Sequence, residues 1–308
     1  MNINYHLYDV FADAPFAGTP IAVVSANTPL DDQTKIKIAA EFGYSETVFY
    51  DRANSVSPFS VYNPKGKTRF GAHTTLAAAQ QAFELGLGHQ VGSYSEYNLQ
   101  DSGLSIDTYL DSTSTADEKL ILFARHFDFT TDRFVPELSR IAEALTIDVK
   151  HLSYSRYKPR LVSVDSPVLV VPVTRPEHVL SARLDPKQWS SLLAEVYANS
   201  ILLIAPGSIS GNSDFHGRLI TPQQDAAACP PIGSVLPEFI AFLCCHENTA
   251  SGTHTTSIDR GSHESRESVI HIEFDYRGGN QAKCRVGGKV ILMAEGQFVY
   301  TTQGGMQR

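Results

Sequence analysis

The sequence predicts an α+β protein built from two similar halves, and three observations carry that prediction. Short runs of strand character alternate along the chain with helix-length apolar or Ala-rich runs. The 308 residues, 42% of them hydrophobic, are enough for about two domains with sizeable cores. The order of elements also recurs. In each half a strand runs into a Pro turn, at Pro64 and again at Pro222, and a short loop then leads to an apolar helix. His73 stands nine residues beyond Pro64 and Cys229 seven beyond Pro222.

YHLYDVFA and PIAVVSA read as two strands joined by the turn-like DAPFAGTP. DDQTKIKIAAEFG is an amphipathic helix with Ile36, Ile38, Ala39 and Phe42 on one face and Gly43 as its stop. ETVFY and SPFSVYNP are strands, and GAHTTLAAAQQAFELG is a helix ending at Gly86. Strand-like runs fill 91–125, and FVPELSRIAEALTI is helical. KPRLVSV and SPVLVVPV are strands, and PKQWSSLLAEVYAN is a helix. The second half then offers the strands SILLIAP and DFHGRLITP, the turn QQDAAACPPIG and the helix SVLPEFIAFLCC. The strands SVIHIEFDY, AKCRVGGKVILMAEG and QFVYTT close the chain.

Composition narrows the function classes. A net charge of −8 with no basic patch argues against a nucleic-acid partner. The longest apolar runs are too short to span a bilayer, so no membrane association is expected. The opening MNINYHLYDVFADAPF lacks the charged start and long apolar core of a signal peptide. Of the four cysteines, Cys244 and Cys245 end a helical run and read as packing residues. No pair has CxxC spacing, which suggests a reduced, cytoplasmic protein. The eleven histidines show no metal-ligand spacing, so no metal site is expected.

Three segments bear on chemistry: YSETVFY, RFGAHTTLAAA and DAAACPPIGSVLPEF. Glu46 lies in a helix-to-strand junction beside apolar residues. From that stretch alone a solvated loop carboxylate is the ordinary reading, and a partly buried acid/base the sharper one. His73 and Cys229 each precede or open an apolar helix, whose free N–H groups favour an anion or a thiolate. Thr74, Thr75 and Ser234 add hydroxyls there, and Ser234 also suits a helix N-cap. Arg218 reads as a partner for a carboxylate within the fold, and His216 as a surface residue.

These motifs together resemble the phenazine-biosynthesis PhzF-like family. DVFADAPFAGTPIAVV is similar to the family opening, and SETVF matches its Ser-Glu-Thr motif. NPKGKTRFGAHTTLAAA resembles the Gly-His segment, and RLITPQQDAAACPPIGS the segment ending Glu-Asp-Pro…Thr-Gly-Ser. CRVGGKVILMAEGQF resembles the closing strands. Five ordered matches cover nearly the whole chain. The resemblance implies a diaminopimelate epimerase-like fold, with each domain a curved, mostly antiparallel sheet around a central helix. It implies domains at 1–125, completed by a final strand at about 297–308, and at 126–296, with the active site in the cleft between them. It further implies a homodimeric, cofactor-independent isomerase that shifts a proton on a small polar or carboxylated metabolite, with cyclisation or elimination as related outcomes.

Carried over residue by residue, Glu46 is the acid/base, His73 holds or relays the proton, and Ser234 binds substrate, with Thr19, Ala72, Thr74 and Gly233 lining the same site. The departures point to a specialised substrate, of secondary metabolism. Cys229 stands where the family has Asp, Ala228 where it has Glu, Ala72 where it has Gly, Ile232 where it has Thr, Thr19 where it has Asn and Lys67 where it has Glu. Cys229 is either a catalytic thiol, opposite Glu46 or His73, or a small inert residue. A non-catalytic binder and a Cys229-dependent epimerase- or lyase-like enzyme are the alternatives to the isomerase.

Overall fold

The computed structural model describes residues 2–101, 103–111, 120–209, 211, 213–221, 230–245, 249–262 and 265–299. The chain divides into two compact units, Met1–Phe123 with Gly287–Arg308, and Ala124–Val286.

The first unit opens with β1 (Asn2–Val10) and β2 (Thr19–Ala26), followed by α1 (Asp32–Phe42) and β3 (Thr47–Tyr50). Next come β4 (Phe59–Asn63), β5 (Gly66–Thr68) and α2 (Ala72–Glu84), and then β6 (His89–Val91), β7 (Tyr94–Asp101) and β8 (Leu104–Asp111). The last strand, numbered β18 (Val290–Val299), returns to this unit and pairs antiparallel with β1. It begins at Val290, ahead of the 297 expected, and pairs with β1 as far as Val299, with one register shift at Leu7/Tyr8. The sheet order is β18-β1-β2-β3-β4-β5, antiparallel except for the parallel β2–β3 pair.

α1 forms as the sequence predicts. The Asp31 carboxylate accepts from the Thr34 N–H at 2.8 Å, and Gly43 closes the helix at φ 67°. Ile38 and Ala39 pack on one sheet face with Ile3, Val24, Phe49 and Tyr62. α2 is the central helix of the unit. It touches β1, β2, β3 and β18 as well as β7 and β8. Ala77, Ala78, Ala79 and Ala82 are completely buried. Such small side chains let strands approach the helix from several directions, and all-round burial explains why this run shows no polar face.

The chain leaves the first unit within β9 (Ile121–Asp128). The second unit contains β10 (Thr130–Asp132), α3 (Leu138–Leu145), β11 (Arg160–Ser163), β12 (Pro167–Pro172), α4 (Pro176–Ser181) and α5 (Pro186–Val196). β13 (Ser200–Pro206), β14 (Phe215–Ile220), α6 (Leu236–Cys244), β15 (Gly252–Arg260), β16 (Ser268–Tyr276) and β17 (Gln281–Gly288) follow, and β10 to β17 lie side by side in chain order. Leu169, Val171, Ile201 and Leu203 face a core built with α3, α4 and α5. The alternate residues Val168, Val170, Leu202 and Ile204 are buried too. Burial on both faces is why these strands read as continuous apolar runs. All nine residues of α6 are buried, with Phe239 edge-on to Phe215 at 5.4 Å. Each unit is thus a mostly antiparallel arrangement of strands with a buried helix, as expected.

The short β5 and β10 escaped the sequence reading, and so did β15 and α4. β15 is rich in Thr, Ser and His and carries little apolar alternation. α4 is only six residues long and is held by Arg218, whose guanidinium donates to the carbonyls of Val179, Leu180 and Ala182. Arg218 is therefore buried and caps a helix end. His216, expected at the surface, is only 1% exposed. Its Nδ1 lies 2.6 Å from Asp259, a partner 43 residues away that a local reading could not supply.

Candidate active site

Gly43 caps α1, and three residues later Glu46 leads into β3. Phe49 joins the core on the α1 face. Strand alternation turns Val48 and Glu46 to the opposite face. There α2 begins. The Glu46 Oε2 atom lies 3.8 Å from the point where a Cβ on Gly71 would stand. No described group donates a hydrogen bond to this carboxylate, and burial pushes its pKa up to about 7. Both protonation states are then populated near neutral pH, which is what a proton shuttle needs.

Gly71 is the N-cap of α2, and its backbone is tied down by two hydroxyls. The Gly71 N–H donates to Thr74 Oγ1 at 2.9 Å, and the Thr75 hydroxyl donates to the Gly71 carbonyl at 2.8 Å. Thr74 and Thr75 are both buried. The Thr74 hydroxyl is thus engaged in fixing the helix start that Glu46 faces. Ala72 and His73 form the first turn and are each 5% exposed. The His73 ring meets the Phe11 ring edge-to-face, with centroids 4.9 Å apart and planes at 85°.

Thr19 is buried and pairs with Val10 across β1 and β2, at the base of the loop that joins them. Gly18 is needed there. It has φ 68°, and a Cβ would stand 2.5 Å from the Val10 carbonyl oxygen and 2.8 Å from Ala12 Cβ. Farther along the loop, the Phe16 N–H donates to the buried Asp9 carboxylate at 2.9 Å.

Thr19, Glu46, Ala72, His73 and Thr74 belong to the first unit, and Gly233 and Ser234 to the second. Gly233 is buried and Ser234 exposed, both in a 3-10 turn that leads into α6. Ile232 and Val235 occupy the N-cap positions of that turn and of the helix, so Ser234 is not the N-cap. Cys229 lies outside the described residues. Cys244 is buried as expected, while Cys245 is half-buried with its Sγ 2.8 Å from the Ala241 carbonyl. Among the described residues no three His, Cys, Asp or Glu side chains are grouped to hold a metal ion, and no helix is long and apolar enough to cross a membrane. Phe11, which meets the His73 ring, and Asp9, which holds the loop after β1, were not singled out from the sequence. Both sit in the quoted DVF motif, but their roles depend on contacts with distant parts of the chain.

A family model described as phenazine biosynthesis-like protein matches residues 8–296. An uncharacterised isomerase of Pseudomonas aeruginosa is 33% identical over 299 residues, covering 97% of this chain and 99% of that protein. Among solved structures, a phenazine biosynthesis protein of the PhzF family from Bacillus anthracis superposes with a TM-score of 0.81 at 16% identity, over 97% of this chain and 100% of that one. A hydroxyproline epimerase from Agrobacterium vitis, solved with bound trans-4-hydroxy-L-proline, superposes with a TM-score of 0.58 at 8% identity, over 96% of this chain and 92% of that one. The fold is therefore that of the PhzF and diaminopimelate epimerase-like proteins.

Proposed function

The chain belongs to the phenazine biosynthesis-like family, and from that premise we propose that it is an isomerase in which Glu46 moves a proton within a small carboxylated molecule. The observation that supports this reading is a partly buried carboxyl with no described donor, set against the start of a buried helix and pushed up to about 7. The Pseudomonas aeruginosa relative, named an uncharacterised isomerase, supports the reaction class.

In this reading the Glu46 carboxylate removes a proton from an acidic C–H bond and becomes a neutral acid. The substrate anion delocalises, and the same carboxyl returns the proton to another carbon. Nothing is oxidised or reduced, and the carboxylate is regenerated. The N-terminal end of α2, with its positive potential, favours a substrate carboxylate or the delocalised anion. His73, in that turn, orients or relays the proton. Gly233 and Ser234 are proposed as substrate contacts on the strength of the family resemblance. The departures at Ala72, Thr19 and Ile232 fit a substrate specialised within the family.

The test is solvent-deuterium incorporation into a panel of cyclic and acyclic amino and hydroxy carboxylates, read by mass spectrometry with wild type and Glu46→Gln. Deuterium entering a metabolite with wild type alone supports the reading. Equal incorporation by both proteins removes Glu46 from the mechanism. Tight binding across the panel with no incorporation makes the protein a binder.

A further inference from the structure

Phe11 has a backbone that its side chain does not favour. Its φ is 56°, in the left-handed region, where a bulky aromatic residue is strained. It is nevertheless 1% exposed, so the surrounding structure holds it there. Two features do so. The N–H of the next residue, Ala12, donates to the Lys289 carbonyl at 3.4 Å. Gly288, at the end of β17, lies against the Phe11 ring. A Cβ on Gly288 would collide with Cδ1 and stand 3.0 Å from Cε1 and 3.3 Å from Phe11 Cα.

The other side of this arrangement is the His73 ring, met edge-to-face at 4.9 Å. Such aromatic pairs have a preferred geometry and resist rotation of either ring. His73 is itself buried in the first turn of α2, two residues beyond the Gly71 that faces Glu46. Strain at Phe11 thus has a use: it delivers a ring to the flank of the histidine that a residue with ordinary φ would direct elsewhere.

We infer that Phe11 and Gly288 form a positioning pair that fixes the orientation of the His73 imidazole. The inference rests on the proposed role of His73 for its catalytic consequence, but not for its structural one. Phe11 touches no reacting atom in this account. It acts through His73, and Gly288 acts through Phe11.

The experiment compares wild type, Phe11→Leu, Phe11→Tyr and Gly288→Ala. Two-dimensional NMR of the histidine ring protons reports the environment of His73, assigned by its loss in His73→Gln. Wild type and Phe11→Tyr should show His73 ring protons displaced by the neighbouring aromatic ring. In Phe11→Leu that displacement should disappear, and in Gly288→Ala it should change as the ring is pushed aside. The rate of Glu46-dependent deuterium incorporation should fall at least tenfold in Phe11→Leu and recover in Phe11→Tyr, with half-saturating substrate concentration little changed.

If Phe11→Leu fails to fold, Gly288→Ala gives the same reading. Unchanged His73 ring signals in a folded Phe11→Leu or Gly288→Ala protein would overturn the inference. If the ring signals move as expected but no incorporation is found even with wild type, the positioning pair stands and the proposed function falls.

Discussion

Glu46 stands beside the buried helix of its unit and Glu238 on the buried helix of the other, and burial raises both carboxyls above their ordinary pKa. Their surroundings differ in one respect. Glu238, on α6, is fully buried, and its Oε1 accepts from the N–H groups of Val164, Asp165 and Ser166 at 3.3, 2.9 and 3.1 Å. It anchors the turn between β11 and β12 onto the helix. Glu46 faces the start of α2 and receives no donor from the described protein. Glu238 commits one oxygen to three donors of the fold, while its other oxygen, Oε2, is buried without a described partner. Glu46 keeps its capacity for something that arrives from outside. A raised pKa alone does not separate the two; the donor inventory does.

The largest expected effect tests that separation directly. Glu46→Gln should lower the rate of deuterium incorporation by roughly a thousandfold, the range expected for loss of a general acid/base. Glu238→Gln, which keeps an oxygen for the three N–H groups, should change it less than threefold. Comparable losses in both variants, in proteins with native circular dichroism, would break the contrast.

Stability should sort the pair the other way. Glu238→Ala strands three backbone donors and opens a cavity, and should cost about 3–5 kcal/mol. Urea denaturation with an unchanged m-value is the measurement. Glu46→Gln removes no protein hydrogen bond and should not destabilise the fold at neutral pH.

The pH dependence of stability sharpens the same point for Glu46. Below about 4.5 its carboxyl is protonated in both the folded and the unfolded chain. Between 4.5 and 7 the unfolded chain releases the proton and the folded chain retains it, so stability falls as pH rises. Above about 7 the folded protein carries the full penalty of a desolvated charge, roughly 3 kcal/mol for a carboxyl moved from 4.5 to about 7. Water reaching the exposed part of the carboxylate reduces that figure. Glu46→Gln should lack this slope, so the variant gains on wild type between pH 5 and 8. Parallel stability curves across that range would show that Glu46 is solvated.

Much of the fold was legible because its cues are local. Gly43 and Asp31 mark α1, and the apolar runs at β12 and β13 mark strands buried on both faces. β15 was not legible, since a strand of Thr, Ser and His is stabilised by its pairing with β16 rather than by its own pattern. The candidate site was read from the sequence only through family resemblance. Nothing in YSETVFY states that Glu46 will meet Gly71, a residue 25 positions later that reaches it only after β3, β4 and β5 have formed. Phe11 was out of reach for a stronger reason. A left-handed φ is signalled in sequence by Gly or Asn, and a Phe there is set by its tertiary neighbours. His216 was misjudged on the same ground, because its carboxylate partner comes from another strand.

The smallest expected effects concern the two helix starts. At α2 the Thr74 hydroxyl accepts from the Gly71 N–H and also lies 3.1 Å from the Gly71 carbonyl, so it is committed to the backbone. At α6 the corresponding hydroxyl, Ser234, is exposed and has no described partner. Thr74→Val keeps the shape and removes the cap, and should cost about 1 kcal/mol in thermal or chemical unfolding. Ser234→Ala should change stability by less than about 0.5 kcal/mol, as expected for an exposed side chain free of such contacts. Function should reverse the order. Ser234→Ala should weaken half-saturation in the deuterium assay severalfold if the substrate contact that the family resemblance implies for it holds. Thr74→Val should affect that assay only as far as Gly71 shifts against Glu46. If Ser234→Ala proves the costlier change in unfolding, its hydroxyl serves the fold, and the two helix starts are alike after all.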